Sequence, residues 1–147
     1  MRTQLSSWLA AAGAVLLIAT VFRLDAAEPD FERTVAPLLA AKCLECHSSG
    51  NPEGGFDLST KAGAAKGGDS GVAIFGGKAE ASALWQRVRD DEMPPKHPLT
   101  ASEKATLKSW IVGGAKWSSG DIDRLSYSSD SRAGYDWWSL QAVQNIS

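Results

Sequence analysis

The sequence contains few of the residues that usually hold metals or perform nucleophilic chemistry. Of its 147 residues only two are cysteine, two are histidine and two are methionine. Both cysteines, Cys43 and Cys46, lie in one short segment, so no thiol is left for a structural disulfide elsewhere. The chain is therefore not a disulfide-stapled scaffold, and its thiol chemistry must be concentrated in that segment.

The chain also lacks an excess of either charge. It has 15 lysine and arginine residues against 17 aspartate and glutamate residues. No basic patch of the kind that nucleic acids require is present, so we expect no nucleic-acid partner. The length fits one ordinary domain, and a hydrophobic content of 44% is enough for a globular core.

The longest apolar run is short for a membrane span. It covers residues 8–22, about fifteen residues, whereas a spanning helix needs about twenty. Arg2 precedes the run and small residues follow it, which predicts a secretory signal peptide over residues 1–27. Neither a cut after Ala26 nor one after Ala27 leaves a small residue three positions back, so an uncleaved membrane anchor stays open as an alternative.

Residues 43–47 read Cys-Leu-Glu-Cys-His, which is the attachment motif of c-type haem. On a helical turn, Cys43 and Cys46 share one face and can bond the two vinyl groups of one haem. His47 follows directly and is placed to bind the iron. Such haem is attached outside the cytoplasm, so the motif and the signal peptide both predict an exported protein of the periplasm or cell envelope.

Three other uses of the same residues are weighed against haem. A thioredoxin-like redox pair expects a strand before the motif and a helix after it, whereas here a helical pattern precedes it and Ser-Ser-Gly-Asn-Pro follows. A zinc site could combine Cys43, Cys46, His47 and His97, but two adjacent ligands fit the usual zinc spacing poorly. The third alternative is a pair of buried free thiols beside a chance histidine.

Helical periodicity predicts a small all-α domain, with about three to five helices wrapped around one haem, from residue 28 to about 118. The first helix, with Asp30 as its cap and Pro37 as a point of bending, ends at the cysteines. The last begins with the capping box Thr100-x-x-Glu103. The predicted helices cover residues 30–46, 59–66, 79–90 and 100–115. The rest of the glycine-rich span 48–78 is predicted to be irregular, and its apolar residues Phe56, Leu58, Val72, Ile74 and Phe75 are candidates to touch the haem.

The identity of the sixth iron ligand separates an electron carrier from an enzyme or a gas binder. Met93 is the only methionine that remains after signal removal, and Pro94 and Pro95 form a stiff strap beside it. We predict Met93 as the ligand, with His97 as the rival. The acidic triplet Asp90-Asp91-Glu92 lies next to it and either steers a basic partner or is a solvated turn.

The chain resembles a class I cytochrome c, most closely the planctomycete-type cytochrome c domain, over roughly residues 30–118. Besides the haem motif, the resemblance is carried by Gly54-Gly55-Phe56-Asp57-Leu58-Ser59, Gly67-Gly68-Asp69-Ser70-Gly71, Met93-Pro94-Pro95 and Trp110-Ile111-Val112-Gly113-Gly114-Ala115-Lys116-Trp117. It implies haem c bound covalently through Cys43 and Cys46, with His47 and Met93 as axial ligands.

The function predicted from these features is electron transfer without catalysis, between redox partner proteins whose identity the sequence does not give. Two alternatives are a peroxidase-like or ligand-sensing haem module and an accessory domain that feeds electrons to a larger enzyme. Residues 119–147 are predicted to be a polar linker or tail. In the family that the chain resembles, a tryptophan-rich segment opens a further domain, and Trp137-Trp138-Ser139-Leu140-Gln141-Ala142 is similar to that opening. A C-terminal domain absent from this chain is therefore a further candidate partner.

Overall fold

The computed structural model describes residues 28–117, 120–129 and 132–142, and the predicted signal segment 1–27 lies outside them. The described part is mostly helical, as predicted. It contains four α-helices: α1 (Ala36–Lys42), α2 (Lys61–Lys66), α3 (Ala83–Arg89) and α4 (Ala101–Val112). Two short antiparallel strands, β1 (His47–Ser48) and β2 (Asn51–Pro52), form a hairpin that the sequence did not predict. Within these ranges no helix has the length and apolar character needed to cross a membrane.

The first predicted helix is divided in two and ends early. A π-helical turn, Phe31–Val35, precedes α1, and its cap is Asp30, whose side chain accepts a hydrogen bond from Arg33 N at 3.0 Å. Pro37 explains the division, because it has no N–H and its ring would collide with the carbonyl of an α-helical turn before it. Pro37 lies in the first turn of α1, where a backbone N–H would have no partner within the helix, so its missing N–H does not weaken α1. The prediction that this helix extends to residue 46 is wrong, since α1 ends at Lys42 and the chain continues in turns.

The predicted helix over residues 79–90 is also two elements. A 3-10 turn, Ala79–Ala81, is followed by an extended residue, Ser82, and then by α3. The fully buried Ser82 hydroxyl accepts a hydrogen bond from Phe75 N at 2.9 Å and lies 3.0 Å from the carbonyl oxygen of Lys78, to which it can donate. These contacts hold Ser82 out of the helical conformation and thereby interrupt the helix.

The last helix, α4, follows its prediction closely. Thr100 caps it and forms a reciprocal capping box with Glu103, and the helix ends at Val112 with Gly113 as its C-cap, three residues before the predicted end. Leu107, Trp110 and Ile111 are its buried face, as the periodicity indicated. The helix therefore presents one apolar side to the core.

An aromatic cluster joins the start of the domain to its end. The ring of Phe31 lies 4.6 Å from that of Trp117 and 6.0 Å from that of Trp110, measured between centroids. Beyond Trp117 the chain returns to the core, where Ile122 is buried and its N–H donates to the Ser59 carbonyl at 2.7 Å. The domain limits that we predicted from the sequence stay predictions.

Candidate cofactor site

The turn that follows α1 carries both cysteines and the histidine. Cys43 ends the helix with a hydrogen bond from its N–H to the Leu39 carbonyl at 2.8 Å. The Cys43 carbonyl then accepts from the N–H groups of Cys46 and His47, at 3.2 and 2.9 Å. This tight turn places all three residues along the wall of one cavity of about 370 Å³. That volume lies in the range of small-molecule and cofactor pockets.

The hairpin after the motif fixes the imidazole of His47. Its Nδ1 lies 3.0 Å from the carbonyl oxygen of Glu53, which can only accept a hydrogen bond. Nδ1 therefore carries the proton, and Nε2 keeps its lone pair free for a metal. Glu53 is held in turn by a hydrogen bond from its N–H to the Cys46 carbonyl at 2.9 Å.

Met93 lies on another wall of the same cavity, together with Pro94 and Pro95. Its N–H donates to the carbonyl of Arg87 in α3 at 3.2 Å. The thioether is thus brought to the cavity that the cysteine turn borders. His97, the rival ligand, is exposed and is not among the residues that line this cavity.

The cavity is lined mainly by apolar side chains. Phe56 and Leu58 are among them, as expected, but Val72, Ile74 and Phe75 are not. Leu84 and Val88 of α3 line the cavity instead, with Ala73 and Ala83.

The sequence did contain a signal for Leu84 and Val88, because they lie four positions apart on the apolar face of a helix. The polar part of the lining consists of the cations Lys42 and Arg87, together with Glu53 and Ser70, and glycines of the loops also contribute.

No disulfide joins Cys43 to Cys46, and the surroundings of both thiols favour the protonated form. Burial, and to a smaller extent the neighbouring Cys46, raise the pKa of Cys43 to about 12, although Lys42 acts in the opposite direction. Burial and the carboxylate of Glu53 also raise the pKa of Cys46. Low-pKa thiolates are the form that binds metals and attacks disulfides. The site therefore does not have the electrostatics of a thioredoxin-like pair.

Zinc ligation receives no support from the geometry. Among residues 28–117, 120–129 and 132–142, no three His, Cys, Asp or Glu side chains lie close enough together to hold a metal ion. A structural zinc site needs four such ligands in a tetrahedron. In contrast, the two cysteines and a histidine whose Nε2 is free border one largely apolar cavity, which suits covalent attachment and ligation of a c-type haem.

The acidic triplet beside Met93 is neutralised within the chain. Each carboxylate contacts a basic side chain of α3 or α4, at distances between 2.7 and 3.2 Å. The pairs are Asp90 with Arg89, Asp91 with Lys104, and Glu92 with Arg87. The guanidinium of Arg89 holds the pKa of Asp90 below its usual value. A triplet whose charges are matched locally projects little field toward a distant partner.

A comparison with protein families matches the part of the chain that contains this site. Residues 43–97 match the planctomycete cytochrome C family. The match confirms the resemblance that the motifs carried, and it includes both Cys43-Leu44-Glu45-Cys46-His47 and Met93-Pro94-Pro95. No curated protein and no solved structure matches the chain significantly.

Over residues 43–97 the chain is therefore similar to a family of cytochromes c, which bind haem c covalently and transfer electrons. Cytochrome c domains are usually exported. The residues that line the cavity suit such a haem, because two cysteines, a histidine and many apolar residues are among them.

Proposed function

We propose that this chain is an exported one-haem electron carrier, not an enzyme, in which Cys43 and Cys46 hold the haem and His47 and Met93 are its axial ligands. The observation that carries the proposal is that these four side chains, contributed by segments far apart in sequence, line one apolar cavity. Bound haem c supplies reversible one-electron chemistry at its iron.

The residues of the chain prepare the site for this role. His47 donates its Nδ1 proton to the Glu53 carbonyl, which orients the ring and makes Nε2 a stronger ligand. As a ligand, the Met93 thioether would favour the reduced state of a bound haem iron and would keep small external molecules off the metal. The apolar lining from Phe56, Leu58 and Val88 also favours the less charged state. Lys42 and Arg87 are cations that border the cavity, and Arg87 also pairs with Glu92.

The proposal also covers compartment and partners. Attachment of haem to Cys43 and Cys46 requires export, which the segment 1–27 would direct to the periplasm or cell envelope. The partners are redox proteins that dock where the cavity opens. Because the acidic triplet is paired internally, we expect the rate of electron transfer to depend little on salt through those three carboxylates.

Met93→Ala tests the ligand assignment. Covalent haem should first be visible as a stained band of the exported wild-type protein on a denaturing gel. The oxidised wild-type protein should show the red-region sulfur-to-iron charge-transfer band, and Met93→Ala should lose it because the alanine side chain has no sulfur. The reduced variant should also bind carbon monoxide, which the six-coordinate wild type resists.

His97→Ala is the matched control, because it removes the rival ligand and leaves the thioether. We expect its spectrum to equal that of the wild type, since His97 is exposed and does not line the cavity. Survival of the charge-transfer band in Met93→Ala would contradict the ligand assignment. Absence of covalent haem from the exported protein would contradict the function itself.

A further inference from the structure

The loop that carries Met93 is tied to two helices by different kinds of contact. The N–H groups of Glu92 and Met93 both donate to the Arg87 carbonyl in α3, at 2.9 and 3.2 Å. The tie to α4 comes from Lys104, whose Nζ contacts the Asp91 carboxylate at 2.7 Å and donates to the Arg89 carbonyl at 3.1 Å. Lys104 therefore bridges α4 to both the end of α3 and the loop.

The chain reverses at Asp91, which has a φ of 57° in the left-handed region. That conformation is uncommon for a residue other than glycine, although aspartate and asparagine tolerate it better than most. It persists only where surrounding contacts hold it. The Lys104 ammonium is one such contact; its side chain is 21% exposed and that of Asp91 is 54% exposed, so the pair is partly shielded from water. On the other side of the loop, Glu92 pairs with Arg87 at 3.2 Å.

We propose that the ion pairs Asp91–Lys104 and Glu92–Arg87 clamp the Met93 loop against α3 and α4, and thereby limit the access of small external ligands to the cavity. The inference rests on the proposed function, since it assumes that Met93 is an axial ligand. It assigns Asp91, Glu92 and Lys104 as positioning residues, which act through Met93 and do not line the cavity themselves. The acidic triplet then serves the internal geometry of the site and not the attraction of a partner.

The test uses the exported, haem-loaded full-length protein and imidazole as the external ligand. Asp91→Asn and Glu92→Gln remove the charges while keeping side-chain shape, and asparagine tolerates the conformation at residue 91. Imidazole displaces a loosely held thioether from the oxidised protein, and the Soret shift on titration gives its apparent association constant. Exposed ion pairs are weak, so we expect each single change to raise this constant by about two- to fivefold, and the double variant to raise it further.

Lys108→Gln is the matched control. It breaks an ion pair of the same helix, Lys108 with Glu80 at 2.8 Å, that does not contact the Met93 loop. We expect its imidazole affinity to equal that of the wild type. Salt at about 1 M should raise the imidazole affinity of the wild type toward that of the double variant, because salt screens the two ion pairs. The affinity of the double variant should stay unchanged, because it lacks both pairs.

The outcomes separate the two proposals. If the wild type shows the charge-transfer band but neither single variant changes imidazole affinity, the clamp is overturned and the ligand assignment stands. An equal rise in Lys108→Gln also overturns it, because general loosening of the domain would then be the cause. If the wild type lacks the band, the ligand assignment falls and the clamp falls with it. If the double variant does not fold, the two single variants still decide.

Discussion

At the scale of single residues, glycine decides the path of the loop that borders the cavity. Gly67 ends α2 with a φ of 80°, and a Cβ there would overlap the carbonyl oxygen of Gly71. The loop that follows closes on itself, with Gly68 and Gly71 exchanging two hydrogen bonds of 3.0 and 2.8 Å. Because Gly68 and Gly71 line the cavity, the backbone at Gly67 helps to shape its wall.

We predict that Gly67→Ala lowers the free energy of unfolding of the haem-loaded protein by about 2 kcal/mol or more. A left-handed φ costs a non-glycine residue about 1–2 kcal/mol, and overlap with fixed backbone adds to it. Denaturant unfolding measures the change. Gly50→Ala is the control, since no heavy atom lies within 4 Å of a Cβ there and its φ is not left-handed. Equal stability of the two variants would contradict the prediction.

At the scale of secondary-structure elements, the helices whose ends are set locally were the predictable ones. The capping box of α4 lies within four consecutive residues, and the sequence located it correctly. The interruption at Ser82 depends on contacts with Phe75 and Lys78, which a pattern of apolar residues does not reveal. Local signals therefore predicted α4 well and merged a 3-10 turn and α3 into one helix.

We predict that Thr100→Ala lowers the free energy of unfolding by about 1 kcal/mol. It removes the hydroxyl that accepts a hydrogen bond from Glu103 N at 3.3 Å, and that donor at the helix start loses its partner in the chain. Thermal unfolding followed by circular dichroism measures the effect. In Thr106→Ala, in the interior of the same helix, stability should stay the same or rise slightly because alanine has the higher helix propensity. A Thr100→Ala protein as stable as Thr106→Ala would show that the cap contributes nothing.

At the scale of the whole molecule, the sequence named the candidate site residues but not the groups that support them. Cys43, Cys46, His47 and Met93 could be named because they are scarce and stand in fixed motifs. Their supports are ordinary groups, such as the Glu53 carbonyl behind His47 or the Lys104 ammonium against Asp91. Any carbonyl or lysine can fill such a role, so only the folded chain identifies the one that does.

The packing of the segment after Trp117 against the domain is a second feature that the composition did not reveal. Its serines and glycine indicate a linker, yet Ile122 is only 7% exposed and its N–H is bonded to the loop before α2. We predict that Ile122→Ala lowers the free energy of unfolding by about 2 kcal/mol, the lower end for a buried large-to-small change, because its site lies close to the surface. Its visible spectrum should not change, since Ile122 does not line the cavity.

Leu125→Ala provides the matched control for that prediction. Leu125 lies three positions further on and is 40% exposed, so its truncation should change stability by less than about 0.5 kcal/mol. The difference between the two variants, measured by denaturant unfolding of the same haem-loaded protein, isolates the packing of Ile122 from the general effect of altering this segment. If both variants have the same free energy of unfolding as the wild type, the segment does not contribute to the core in solution. If only Ile122→Ala has a lower free energy of unfolding, the unit that holds the haem extends at least to residue 122.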